Sequence, residues 1–213
     1  MNQTTVRRHN MMGIGEVEPP TPPSVIYVTN LVPQFTQDYW DVTNMNVTNW
    51  SSTTGSGPQG NIIVMTTTAV NEGYISPKVA YYPMLHVGHT YYIRWWSKKE
   101  MNYYGQVSYE VFWPEMPNPI VSDTYGTSTQ NWVRFSYVLT LQQSQWPSQT
   151  VTDGNYKIRF DVNNRKYTGT YRHADCMLID LTADYTNQGR TIPSKSALDG
   201  KSYFYGKVNI DTW

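Results

Sequence analysis

Asp180, which closes the apolar run Cys176-Met177-Leu178-Ile179 in this 213-residue chain, is the first residue that invites a chemical reading. As a glycosidase-type acid it would need a second carboxylate across a cleft. Glu110, Glu115, Asp123, Asp161 and Asp175 are available, but no spacing singles one of them out. The alternative, adopted here, is that Asp180 ends a strand and hydrogen-bonds backbone in the following loop. His86 and His89 would share a side only on a helix, and Val87-Gly88 between them argues for a loop; a metal site would need further ligands. The four histidines show no Ser-His-Asp or Cys-His order. The segment TGSGPQG lacks the Lys-Ser/Thr and the flanking helix of a phosphate loop. Cys176 is the sole cysteine, which excludes an intrachain disulfide and reads as a small buried hydrophobe. No catalytic residue, metal ligand or cofactor is assigned, and the chain is read as non-enzymatic.

Aromatics flanked by hydrogen-bonding groups are the remaining candidates. Tyr92, Trp96 and Trp132 fall on the faces opposite the apolar stripes of their segments, beside Arg94, Lys98, Glu110 and Arg134. A flat ring can stack on the apolar face of a sugar while polar neighbours bond its hydroxyls. Aromatics and Arg are also what protein interfaces select. Between the two, the expectation is a face covered by a neighbouring subunit, with glycan binding second.

The elements that must position these side chains show a period of two. In TYYIRWWSK (90–98), Tyr91, Ile93 and Trp95 share one face and Tyr92, Arg94, Trp96 and Lys98 the other. QVSYEVFW (106–113), WVRFSYVLTL (132–141) and YKIRFDV (156–162) alternate in the same way, as strands do. Gly-, Pro- and Asn-rich turns separate them, and only SKSALDG (194–200) reads as a short helical turn. The fold class expected over residues 25–213 is therefore all-β, an antiparallel jelly-roll sandwich.

Residues 1–24 differ. EVEPPTPPS (16–24) favours extended polyproline II. With Arg7, Arg8, Met11, Met12 and Ile14 ahead of it, the segment reads as an assembly arm that docks onto a neighbour, the apolar side chains serving as adaptable anchors. Formal net charge is zero, so the general attraction that drives nucleic-acid binding is absent. No apolar run is long enough for membrane insertion or for a signal peptide, so a soluble chain is expected.

The order of YIRWWSKK (92–99), NWVRFSYVLTL (131–141), GNYKIRFDV (154–162) and CMLIDLTADY (176–185) resembles the carbohydrate-binding-module-like jelly rolls of bacteriophage virion proteins and some bacterial surface proteins. In those proteins the final strand ends in Asp-Leu-Thr-Ala. A glycine-bearing loop, Glu-Pro, a short helical turn and an aromatic-Gly close follow. Here Asp180, Leu181, Thr182 and Ala183 match, and Gly189, Pro193, Leu198, Asp199, Phe204 and Gly206 fall in place; Ile192 stands where the glutamate would be. Any role tied to that glutamate does not carry over.

The resemblance covers residues of about 28–206. It implies a domain that displays or binds, in a virion assembled in the host cytoplasm. The expectation is a bacteriophage structural protein on capsid, head fibre or tail, partnered by other virion proteins and copies of itself, with weak binding of host-surface glycan as an added role. The alternative is a carbohydrate-binding module of a bacterial surface protein. A hydrolase or lyase on the same scaffold is the third class.

Overall fold

A computed structural model describes residues 25–34, 36–43, 46–52, 62–67, 73–99, 107–112, 121–125, 131–142, 157–162 and 169–213. The arm residues Arg7, Arg8, Met11, Met12 and Ile14 lie outside them. Among the described residues twelve strands follow in chain order: β1 (Tyr27–Thr29), β2 (Trp40–Thr43), β3 (Asn46–Ser52), β4 (Ile62–Thr67), β5 (Gly73–Pro77), β6 (Thr90–Lys99), β7 (Val107–Phe112), β8 (Val121–Tyr125), β9 (Val133–Thr140), β10 (Lys157–Val162), β11 (Gly169–Asp180) and β12 (Lys207–Asn209). Two short helices, α1 (Leu181–Asp184) and α2 (Lys195–Asp199), lie between the last two strands.

The long strands form two five-stranded antiparallel sheets, β2-β5-β10-β7-β8 and β3-β4-β11-β6-β9, while β1 pairs with β12 apart from both. This is the expected all-β jelly-roll sandwich. In the second sheet β6 lies between β11 and β9, with Ile93 opposite Leu178 and Tyr137. From Tyr91 to Trp95 this central strand is buried on both faces. Tyr91, Ile93, Trp95 and Ser97 are buried on one face, where Trp95 stacks on Phe135 and Tyr137 at centroid separations of 5.4 and 5.8 Å. Alternation turns this face into the sandwich.

The second face carries its own core. Tyr92, Met177 and Ile179 cluster there with Val28, Leu181, Tyr185, Leu198 and Ile210, and Ile192, Phe204 and Trp213 pack around them. The cover is therefore the chain's own residues 181–213 together with β1. Asn30 pins this layer: its side-chain amide donates to the carbonyls of Cys176 and Phe204 and accepts from the amides of Val32 and Leu178. Gly206, at φ 72°, supplies the left-handed backbone that brings its carbonyl to the Asn30 amide at 2.8 Å.

Two expectations are corrected here. Leu181-Thr182-Ala183 does not prolong the strand but turns into α1, because Asp180 caps that turn and stops the ladder. Nor is β11 the last strand, since β12 follows it. The helical turn expected at 194–200 is α2, with Ser194 as N-cap and Leu198 buried.

Candidate functional site

Six of the seven aromatic and charged candidates share the β6–β9 region of one sheet. Glu110 does not join them: it lies on β7 in the other sheet, opposite Arg159. The expectation that the six face outward holds for only part of them. Tyr92 is 0% exposed and Arg94 3%. The reason is the C-terminal layer. Tyr92 donates its hydroxyl to Asp199 at 2.9 Å, and burial pushes that hydroxyl well above the usual tyrosine range. Arg94 donates to the Lys201 carbonyl at 2.6 Å and to Met177 sulfur at 3.1 Å. These two side chains are core, not site.

Beyond that cover Trp96, Lys98 and Trp132 keep partial exposure and Arg134 is exposed. Trp96 and Trp132 are half-buried, packed against Val64 and Ala174. Exposed Arg134 pairs with Trp96 across the β6–β9 ladder, its guanidinium 5.6 Å from the ring centroid, and donates to the Asp199 carbonyl at 2.8 Å. Half-buried Lys98 lies one pleat further along, opposite Arg172 of β11. On the near side Lys195 reaches Ser136 at 2.6 Å and Asp199 at 2.8 Å. Burial pushes the Asp199 carboxyl up, but the bonds from Lys195, Ser136 and Tyr92 outweigh it and hold the group below the usual range. Between α2 and β9 lies an open groove of about 570 Å³, lined by Arg134, Lys195, Ser196, Asp199 and Gly200.

Asp180 is occupied on both oxygens. One accepts from the Ala183 amide at 2.9 Å; the other meets His89 Nδ1 at 2.7 Å. Thr182 accepts from the Thr90 amide, which ties α1 to the start of β6. The His86 and His89 rings lie 4.8 Å apart in the loop before β6, and the His86 amide donates to Tyr91 at 2.6 Å. Among the described residues no group of three metal-ligating side chains comes together. Asp123 and Asp161 lie on β8 and β10 of the other sheet, and Glu115 lies outside the described residues.

Cys176 is buried, and burial pushes its thiol well up, with the neighbouring Asp175 adding to the effect; it packs as a small hydrophobe. Asp175 sits in the β11 bulge opposite β6 at φ 53°, fully buried, with no hydrogen-bond partner among the described residues. Burial raises its carboxyl to about 6, against the pull of Arg94.

Sequence reading missed Lys195, Ser196, Asp199 and Gly200, which complete the groove. The signal was present, since SKSALDG already read as a turn, but nothing in it says that the turn lands on β9. No protein-family model matches the chain, and no curated protein does. Solved structures do resemble it. An arabinose-bound α-L-arabinofuranosidase (MgGH51) aligns at TM-score 0.53 and 10% identity over 76% of this chain and 28% of its own. A carbohydrate-binding module of family 4 aligns at TM-score 0.47 and 12% identity over 66% of this chain and 94% of its own. The enzymatically active domain of bacteriophage CBA120 tailspike protein 4 aligns at TM-score 0.47 and 13% identity over 70% of this chain and 21% of its own. The chain thus spans less than a third of the enzyme and tailspike chains it resembles. At these identities the likeness shows the fold alone, a jelly-roll β-sandwich.

Proposed function

We propose that this domain is a non-enzymatic glycan-binding module whose binding surface is the open end of the β6–β9 face. One observation carries the reading: Trp96 and Trp132 remain accessible where the C-terminal layer stops, flanked by Arg134 and by the groove along α2. Rings fixed by packing present stacking surface at little entropic cost, and neighbouring donors orient hydroxyls. A single shallow site of this type binds weakly, and several copies on one particle or cell surface gain by avidity.

The test is a glycan panel followed by titration of the best binder. Trp96→Ala and Trp132→Ala each abolish binding while the thermal transition stays cooperative. Unchanged affinity in both variants sinks the reading.

The setting read from the sequence, display on a bacteriophage particle through residues 1–24, is retained as a proposal about location. It rests on the Pro-rich segment and its Met11, Met12 and Ile14 anchors. Light scattering of the full chain against a chain starting at Ser24 checks it: loss of a defined oligomer or of particle attachment supports the arm, and identical monomers that attach equally well dismiss it.

A further inference from the structure

Resting on the reading of the open β6–β9 face as a binding surface, we infer that it also takes a peptide ligand, the Pro-rich segment 16–23 of a second copy of this chain. EVEPPTPP (16–23) favours polyproline II, which turns once in about three residues and rises about 3.1 Å with each. Residues three apart then share a side, and one side carries Glu16, Pro19 and Pro22 at intervals of about 9 Å. Grooves lined by aromatic rings hold such segments, because a chain already extended loses little conformational entropy on docking.

The open face matches in spacing, rigidity and charge. Trp96 lies opposite Arg134 in the β6–β9 ladder, and Trp132 precedes Arg134 by two residues. The two rings therefore start from diagonal positions roughly 7–8 Å apart, close to one polyproline turn. Both pack against Val64 and Ala174 and stay half-exposed, so they are set before a ligand arrives. Arg134 bonds a carbonyl and a ring, neither of which neutralises its charge, and Glu16 follows in line with the two prolines.

The segment falls short of its own tryptophans. Thr29 bonds Asp184 of α1, past the end of β11. The Ile26 carbonyl takes the Ile210 amide, next to Asp211, which pairs with Arg190 beside Tyr185. Residues 26–29 thus enter the fold at α1. The tryptophans sit on Ala174, six residues back from Asp180 and ~20 Å along β11. Polyproline II carries Pro22 only about 9 Å and Pro19 about 19 Å from Val25. The rings within reach are those of another copy.

The experiment follows the full chain by light scattering across concentration, with calorimetric titration of a synthetic peptide of residues 14–24. The expected mass rises above that of one chain as concentration increases, and excess peptide returns it to one chain. Pro19→Ala together with Pro22→Ala, or Trp96→Ala alone, weakens self-association about tenfold. The proline variant leaves residues 25–213 unaltered, so it keeps the test valid should Trp96→Ala misfold. A glycan that stacks on the same rings disperses the assembly as well. Self-association that survives both sets of substitutions overturns the assignment of this face. A chain that stays single at every concentration overturns the second copy. Peptide binding seen only in the proline variant then assigns the face to the chain's own segment, and no peptide binding removes the peptide ligand altogether. In that last case, glycan binding that depends on Trp96 and Trp132 leaves the glycan reading standing, and its absence removes both.

Discussion

Tyr92 and Arg94 on one side, Trp96 and Lys98 on the other, are successive residues of one face of one strand, yet they do different work. The first pair lies beneath residues 181–213, with Tyr92 on Asp199 and Arg94 on the Lys201 carbonyl. The second pair lies where that layer ends, in partial contact with solvent. Periodicity is the same for all four, so the pattern that makes them a strand cannot decide which are core. A segment more than eighty residues further along the chain decides it. The proposed binding surface is the part of this sheet face that residues 181–213 leave uncovered.

The largest effect that would break this contrast comes from removing the cover's anchor. Leu198 is fully buried in the second core, so Leu198→Ala is expected to cost about 2–5 kcal/mol. Denaturant unfolding checks it, with Trp96→Ala as the comparison. Trp96 is only half-buried and should cost clearly less. Equal losses would mean that the open end is as much core as the covered end. Tyr92→Phe sharpens the point, because it removes only the hydroxyl that bonds Asp199, about 1 kcal/mol.

A second effect depends on pH. Burial raises Asp175 to about 6 from its ordinary 3.8, so the folded chain holds that proton more tightly than the unfolded one. Its contribution to stability is greatest below pH 4 and is lost as pH rises through 6. Asp175→Asn removes that loss, and asparagine tolerates the left-handed backbone. At pH 8 the gain is bounded by about 3 kcal/mol and reduced by what Arg94 forfeits as the Asp175 charge disappears. Denaturation at pH 4 and pH 8 should show gain only at the higher value. His173 acts in the other direction: burial lowers it to about 3, so its contribution is complete above about 6.5 and is lost as pH falls toward 3. That term is common to wild type and variant and cancels between them.

Much of the architecture is legible before any coordinates. The strands at 90–99, 107–112, 133–140 and 157–162 follow from the alternation of apolar and polar residues along each. The cover does not follow, for physical reasons. Its buried members Leu181, Tyr185, Leu198 and Ile210 are spaced irregularly through turns, with no period of 2 or 3.6 to read. Asp180 as a cap was readable from its place before Leu-Thr-Ala. Its second partner, His89, is 91 residues away, and no local rule finds it. Asp180→Ala should therefore cost more than the roughly 1 kcal/mol of a lost cap alone. A His89→Ala variant and the double variant apportion the rest.

The smallest expected effect is the most informative about the open end. Lys98 faces Arg172 directly across the β6–β11 ladder, and like charges so placed repel by a few tenths of a kcal/mol. Lys98→Gln should then leave stability within about 0.5 kcal/mol, on the favourable side at low ionic strength. Salt should stabilise the wild type slightly and the variant less, since screening relieves a repulsion that the variant lacks. Unfolding curves at two salt concentrations distinguish the cases. A loss above 1 kcal/mol in the variant would make Lys98 a structural partner, as Arg94 is, and would extend the covered half of the face over the open one. A small, salt-dependent gain means that Lys98 costs the fold a little and keeps it an open-end residue, unlike Arg94.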